Sequence, residues 1–301
     1  MRYDRLVIGN GPDAVRPAIE AAERGQMVAL VYSSDDRSDR VTPGMLRQAA
    51  ARLITGPARN EPVSMSDLRR EVAREVESEL AAEQAELARA GVDVFAGDVR
   101  FIDAQTIEVG TELLSGGNIV IACGTKSARL GQTPFDGRVV LAAEQLPALE
   151  VLPHSMIVVG AGQTGLDYAI VLAMLGVGVT VVDDHSSFFD LCGGLMNAPL
   201  FEAQSLGIAF RLGDEVIGIE KRTSSPQAAV RLAGGRVLTA EAALVCVGRE
   251  GRTEGLGLES AGVGLDEHGR VWCDADGRTW AAHITAVGDV VGFRASNTLA
   301  G

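Results

Sequence analysis

Two short glycine clusters are the residues of this sequence whose types and spacing most directly imply chemistry. The first is Gly9-Asn10-Gly11-Pro12-Asp13-Ala14 and the second is Gly160-Ala161-Gly162-Gln163-Thr164-Gly165. Both fit the pattern G-x-G-x-x-G/A. In such a loop the first glycine permits a tight turn, and the second removes the side chain that would hold a pyrophosphate away from the backbone. The third small residue lets the following helix pack closely on the preceding strand. Backbone N–H groups at the helix start bond the anion, so Gln163 and Thr164 fall on the binding edge with the glycines, and Pro12, which has no N–H, opens the first helix at the same place.

The elements that must position these loops are themselves repeated. Residues 5–32 read RLVIGNGPDAVRPAIEAAERGQMVALVY, and residues 156–183 read MIVVGAGQTGLDYAIVLAMLGVGVTVVD. Each is an apolar strand, a glycine turn, an amphipathic helix, a glycine stop and a second apolar strand, a βαβ unit of about thirty residues. A lone G-x-G-x-x-G is weak evidence. Two copies of one internal length, each between a strand and a helix, predict an α/β fold with two Rossmann-like dinucleotide-binding domains. The second copy ends on Asp183. A carboxylate there accepts hydrogen bonds from ribose hydroxyls and repels a 2′-phosphate, which points to NAD over NADP. The equivalent residue of the first copy is Tyr32, which offers only a phenol; Asp35 and Asp36 follow it.

The bulk properties narrow the partners. A length of 301 residues suits two domains. A formal net charge of −13 disfavours nucleic acid and anionic membrane surfaces. The longest apolar stretch, Tyr168 to Val182, is too short to span a bilayer and contains glycine, and Arg2, Tyr3 and Asp4 do not begin a secretory leader. Cys123, Cys192, Cys246 and Cys273 form no CxxC or CxxxxC pair, as expected of a reducing cytoplasm. Cys123 and Cys246 sit in apolar runs and read as core residues. His154, His185, His268 and His283 are scattered, so no metal site is expected. Neither a GxSxG elbow nor a GxxxxGK[ST] loop is present.

Between the repeats, helices are predicted over 43–53 and over 66–90, the second as a solvated charged face without chemistry. Strands are predicted over 92–95, 99–102, 106–109 and 119–123. After the second repeat a helix is expected over 196–206, strands over 216–219, 228–232 and 243–247, and a short strand running into Gly288-Asp289.

Six segments carry a resemblance. They are VIGNGP near the N-terminus, IVIACGTK at 119–126, VVGAGQTGLDYA at 158–169, CVGREGRT at 246–253, LGLESAGV at 256–263 and AVGDVVGF at 286–293. In this order the chain resembles the pyridine nucleotide-disulfide oxidoreductase superfamily, most of all its soluble transhydrogenase branch, with dihydrolipoamide dehydrogenase as a near relative. The resemblance implies an FAD-binding domain over 1–150, an NAD(P)-binding domain over 151–274, and a return to the first domain over 275–301. It implies that Gly9, Gly11 and Ala14 hold the FAD pyrophosphate and that Gly97, Asp98 and Val99 lie against the adenine. Ala122, Cys123 and Gly124 would border the flavin nucleotide, and Asp289, after Gly288, would bond a ribitol hydroxyl. Gly160, Gly162, Gly165 and Asp183 would bind the nicotinamide nucleotide, with Gly248 close by. The activity implied is FAD-dependent hydride transfer between NAD(P)H and another nicotinamide nucleotide or a small-molecule acceptor.

The sequence departs from that pattern in three places. The stretch DDRSDRVTPG at 35–44 lacks the redox cysteine pair, which disfavours disulfide reduction and favours the transhydrogenase branch. Pro43-Gly44-Met45 replaces Pro-Ser-Lys, and Asp167 replaces the glutamate that pairs with that lysine. A positive charge near the flavin assists hydride acceptance, so its loss bears on catalysis, and no catalytic residue is assigned. Only FRASNTLAG lies beyond the Val290-Val291-Gly292 that follows Asp289, where family members continue into a dimer-forming domain. The expectation is an exposed surface there, with oligomeric state open. A second expectation stands beside the enzyme: a degenerate, non-catalytic dinucleotide-binding protein that retains the NAD site as a sensor or subunit.

Overall fold

The computed structural model describes residues 1–32, 40–56, 63–187, 197–222 and 225–295. Asp35, Asp36 and Cys192 lie outside the described residues. The chain divides into two compact units, one comprising Met1–Arg40, Glu77–Lys126 and Arg249–Gly301, the other Val41–Val76 and Ser127–Gly248.

In the first unit the strand Arg2–Gly9 is flanked by parallel partners on both sides. Val28–Tyr32 lies on one side, with Leu6 opposite Ala29, and Asp93–Ala96 lies beyond it. Glu112–Ala122 lies on the other, with Leu6 opposite Ile119 and Gly9 opposite Ala122. The first half of Glu112–Ala122 pairs antiparallel with Thr106–Val109, and its last residues pair parallel with Ile284–Ala286. Alternation along the apolar strands feeds two cores. Leu6 and Ile8 join Phe101, Ile119, Ile121 and Ile284, whereas Val7 joins Ala14, Ala18, Leu30 and Val120. The helix Pro12–Glu23 presents Ala14, Ala18 and Ala21 to the sheet, a small face that lets it lie close.

The second unit holds a parallel sheet in the order Ala209–Leu212, Gly178–Asp183, Ser155–Val159, Ala242–Val245, Val140–Ala142. One face carries Met156, Val158 and Leu244 against helices that contribute Leu46, Leu68, Leu166 and Ile170. The other carries Ile157, Val159 and Val245 against an antiparallel sheet of Val216–Lys221, Ala228–Leu232 and Val237–Ala240. The helix Gln163–Met174 is apolar on nearly all sides because it is enclosed in this way.

Several boundaries differ from those the sequence suggests. Val140–Ala142 is the edge strand of the second sheet, and Asp136 just before it is 2.5 Å from Lys221 Nζ. Residues 127–150 therefore belong with the second unit, as do 41–76, while 249–274 join the first. The strand expected from Ile119 begins at Glu112. Its polar first half, with Gly116 and Gly117, masked the pattern; a Cβ on Gly116 would meet Leu6 at 2.7 Å. The long helix runs over Met65–Ala90, and its first turns count with the second unit and the rest with the first. Trp272 and Trp280 lie 6.0 Å apart by ring centroids, both in the first unit and both exposed.

Ile121 is fully buried between the two strands that flank it in the first sheet. Ile121→Ala is expected to cost about 2–5 kcal/mol, as for other large-to-small core changes. Urea unfolding followed by circular dichroism measures it, and an unchanged midpoint would contradict the packing described.

Candidate functional site

At the first loop the backbone is forced into glycine-only geometry. Gly9 has φ +145°, and a Cβ there would lie 2.1 Å from the Ala122 carbonyl oxygen. Gly11 has φ +90°, and no atom lies within 4 Å of where its Cβ would be. The helix that begins at Pro12 has no side-chain cap; Pro12 has no N–H and the Ala14 N–H donates to the Gly11 carbonyl at 3.0 Å, so Asp13 carries the first N–H of the open helix end. Ala14 is fully buried under that helix. Ala122 closes its strand beside Gly9 and leads to Cys123 and Gly124. Gly288 packs on Asp13 in the same helix turn, where a Cβ would meet Asp13 Oδ2 at 2.3 Å. That contact brings the exposed Asp289 to the helix N-terminus. The N–H of Gly97 donates to the Tyr32 carbonyl at 3.0 Å, so the segment leading to Val99 departs from the end of Val28–Tyr32. The residues the sequence assigns to the first nucleotide thus come together within one unit.

A cavity of about 570 Å³ opens beside this loop, lined by Asn10, Val15, Tyr32, Arg40, Glu83 and Leu87 among others. Arg40 pairs with Glu83 at 2.5 Å and also donates to Asn10 Oδ1. Its Nε is buried without a hydrogen-bond partner. Arg40 and Glu83 were not legible as site residues, because the helix Met65–Ala90 has the composition of a solvated face. The structure corrects that reading: Leu80, Glu83, Gln84 and Leu87 line the cavity. Their i, i+3, i+4 and i+7 spacing on one helix face was the available signal.

The second loop repeats the geometry. A Cβ on Gly160 would lie 2.3 Å from the Cys246 carbonyl oxygen, and one on Gly165 would lie 2.0 Å from the Gly160 carbonyl oxygen. Gly162 faces open space, and the helix starting at Gln163 and Thr164 also lacks a side-chain cap. Gly248 follows Cys246 with φ +133°, and its carbonyl accepts from the Ala128 N–H at 2.9 Å. Gln163 Nε2 donates to Asp167 Oδ2 at 2.9 Å, so the residue in place of the family's glutamate is bonded within its own helix. Met45, in place of the lysine, is half-buried near the start of Pro43–Thr55.

Asp183 is buried at the end of Gly178–Asp183 and braces the loop. Its Oδ2 accepts from the Ala161 N–H at 2.6 Å; its Oδ1 accepts from the His185 N–H at 2.9 Å and bonds His185 Nδ1 at 2.7 Å. Three of about four acceptor positions of the carboxylate are thereby used, which leaves room for one further donor. His185 Nδ1 also lies 3.1 Å from Asp184 Oδ1. The hydrogen bond to Asp183, then its charge, raises the His185 pKa; desolvation opposes this and Asp184 adds to it. His185 escaped the sequence reading because it is a single histidine in a polar run, although an Asp-Asp-His triplet at a strand end was the signal.

The sequence matches the pyridine nucleotide-disulphide oxidoreductase family over residues 3–300. This chain belongs to that family. It is 33% identical to a soluble pyridine nucleotide transhydrogenase of Mycobacterium tuberculosis, with 97% of this chain and 67% of that protein covered. The enzyme of the same name from Pseudomonas putida is 30% identical at the same coverage. Among solved structures, LpdA from Mycobacterium tuberculosis superposes with a TM-score of 0.83 at 26% identity, covering 96% of this chain and 68% of that one. The HOCl-induced flavoprotein disulfide reductase RclA from Escherichia coli gives a TM-score of 0.80 at 22% identity over 97% of this chain and 67% of that one, a likeness of fold. The family is one of oxidoreductases, and the two Rossmann-like units are its fold. Among the described residues no helix is long and apolar enough to cross a membrane.

Two outcomes follow from the Asp183 bonding. Asp183→Ala leaves the Ala161 N–H without its acceptor and is expected to destabilise the protein by about 1–3 kcal/mol in denaturant titration. By NMR, the His185 ring is expected to titrate above 6.5, with Asp183→Asn returning it toward that value. Because protonation is favoured in the folded state, this contact stabilises fully below the unfolded imidazole pKa. Its contribution disappears as pH rises through the folded value.

Proposed function

We propose that this oxidoreductase binds FAD at the first glycine loop and NAD(P)(H) at the second. It would pass hydride between the nicotinamide nucleotide and a second acceptor, either another nicotinamide nucleotide or a small molecule. The observation that carries this reading is the pair of open cradles. Gly11 and Gly162 each face free space at an uncapped helix start, as a pyrophosphate requires.

The residues present fit both groups. In the first unit, the uncapped helix start at Pro12–Asp13 would hold the pyrophosphate over Gly11, and Asp289 is exposed to accept a ribitol hydroxyl. Tyr32 lacks the carboxylate that a ribose takes, but Glu83 brings one into the same cavity, held by Arg40. In the second unit, Asp183 keeps an acceptor position for a ribose hydroxyl beside Gly162. A bound flavin supplies reversible two-electron chemistry, and the protein binds and orients the partners. The first compact unit is then the FAD domain and the second the NAD(P) domain. The sequence at 35–44 lacks cysteine, which supports a nicotinamide or small-molecule acceptor over a dithiol cycle. The matched relatives are named soluble transhydrogenases, which supports a cytoplasmic setting.

A second reading is a nucleotide-binding relative without turnover. Met45 in place of the lysine and the Gln163–Asp167 bond favour it, because no cation is supplied from that position. The visible spectrum separates the two. The enzyme reading expects a flavin band in the purified or FAD-reconstituted protein that bleaches anaerobically with NADH or NADPH. A colourless protein that takes up NADH but neither holds FAD nor turns over would establish the second reading. Glu83→Gln is expected to weaken FAD binding about fivefold to tenfold, the scale of one charge-assisted hydrogen bond, measured by quenching of flavin fluorescence. An unchanged affinity would remove Glu83 from the site.

A further inference from the structure

We propose that His185 governs the choice between NAD(H) and NADP(H) at the second loop, acting as a proton-controlled countercharge to the strand-end carboxylate. This inference deepens the nucleotide assignment above and rests on it. At a Rossmann strand end the carboxylate that welcomes a ribose diol rejects a 2′-phosphate by charge repulsion. Here two carboxylates, Asp183 and Asp184, stand together at that place. One histidine is bonded to both, through Nδ1 at 2.7 Å and 3.1 Å.

The geometry makes His185 part of the recognition edge. Its own N–H and its ring both engage Asp183 Oδ1, while the other oxygen of the same carboxylate holds the Ala161 N–H inside the glycine loop. The loop, the acid and the imidazole form one hydrogen-bonded chain. Donor and acceptor atoms of Asp183, Asp184 and His185 converge within 4.8 Å, and the bonds between them account for the convergence. Asp183 is buried and fixed, whereas half of the His185 side chain is open to solvent. A ligand and a proton both have access to the ring.

The consequence is a change of local charge with pH. With His185 neutral, the strand end carries the negative charges of Asp183 and Asp184, and a 2′-phosphate is repelled. With His185 protonated, one of those charges is cancelled and an N–H donor is added at the same spot. The adjoining strand brings Arg211 opposite Val182, and Asp214 follows it with its N–H donated to the Asp183 carbonyl. Gly213 donates its N–H to the His185 carbonyl, and Ser186 and Ser187, which are uncharged, follow in sequence. Histidine is the side chain whose charge ordinarily changes near neutral pH, so on the protein side the change between pH 6 and pH 8.5 is assigned to His185. NADP(H) affinity should therefore rise relative to NAD(H) as pH falls through the His185 pKa, which its carboxylate partners hold above the ordinary imidazole value.

Calorimetric titration of the full chain with NADH and with NADPH at pH 6.0 and pH 8.5 tests this. The 2′-phosphate itself titrates at about pH 6, so the neutral variant His185→Asn supplies the baseline. In the wild-type protein the NADPH-to-NADH affinity ratio should rise on acidification by about fivefold to tenfold more than in His185→Asn, the scale of one partly solvated charge contact. His185→Arg should bind NADPH more tightly than wild type at pH 8.5 and lose the excess pH dependence. Identical pH dependence in wild type and His185→Asn would overturn the proposal while leaving the nucleotide site intact. Absence of binding by either nucleotide to the folded wild-type protein would overturn the site assignment and this inference with it.

Discussion

Each nucleotide loop depends on one backbone-to-backbone approach that no side chain tolerates. The first glycine of each loop presses on the carbonyl at the end of the neighbouring parallel strand, Gly9 on Ala122 and Gly160 on Cys246. The two approaches have the same form because the two sheets place the same pair of strands side by side. The strand that opens the loop lies between its βαβ partner and a strand from much later in its unit. That is where the direction of winding reverses and the carboxyl ends leave a crevice. The rest of each site follows from the contact. The chain must turn at once, and the next helix starts there without a side-chain cap.

The parts of the fold set by local rules were legible. Apolar strands, glycine turns and helix periodicity lie in short windows, so the two βαβ units and most later strands fall where the pattern places them. Other features depend on residues far apart. Arg40 and Glu83 are brought together by tertiary folding, and a helix rich in Glu, Arg and Ala gives little sign that one of its faces lines a cavity. The segment 127–150 joins the second unit because its short strand pairs with Ala242–Val245. Sequence order alone assigns it to the first. Asp183 was legible as a carboxylate at a strand end behind a glycine loop, but its bond to the Ala161 N–H was not. The acid braces the loop at the place proposed for the ribose.

The two loops place a carboxylate nearby at different range. At the second loop the carboxylate, its histidine partner and the glycine turn are joined within one strand end and its adjacent loop. At the first loop the strand end is a tyrosine, and the acid arrives from another element with an arginine beside it. A local arrangement is set as soon as the βαβ unit forms. A long-range one is complete only when the helix Met65–Ala90 has packed. A largely desolvated ion pair such as Arg40–Glu83 adds little net stability, so what it positions matters more than what it stabilises.

The two tryptophans have a spectroscopic consequence. The sequence contains two in all, Trp272 and Trp280, and both belong to the first compact unit. Tryptophan emission from this chain is therefore blind to the second unit, whereas far-ultraviolet dichroism sums over both. A denaturation curve followed by emission alone describes half of the molecule. Overlaying it on the dichroism curve reveals whether the units melt as one cooperative block or in succession.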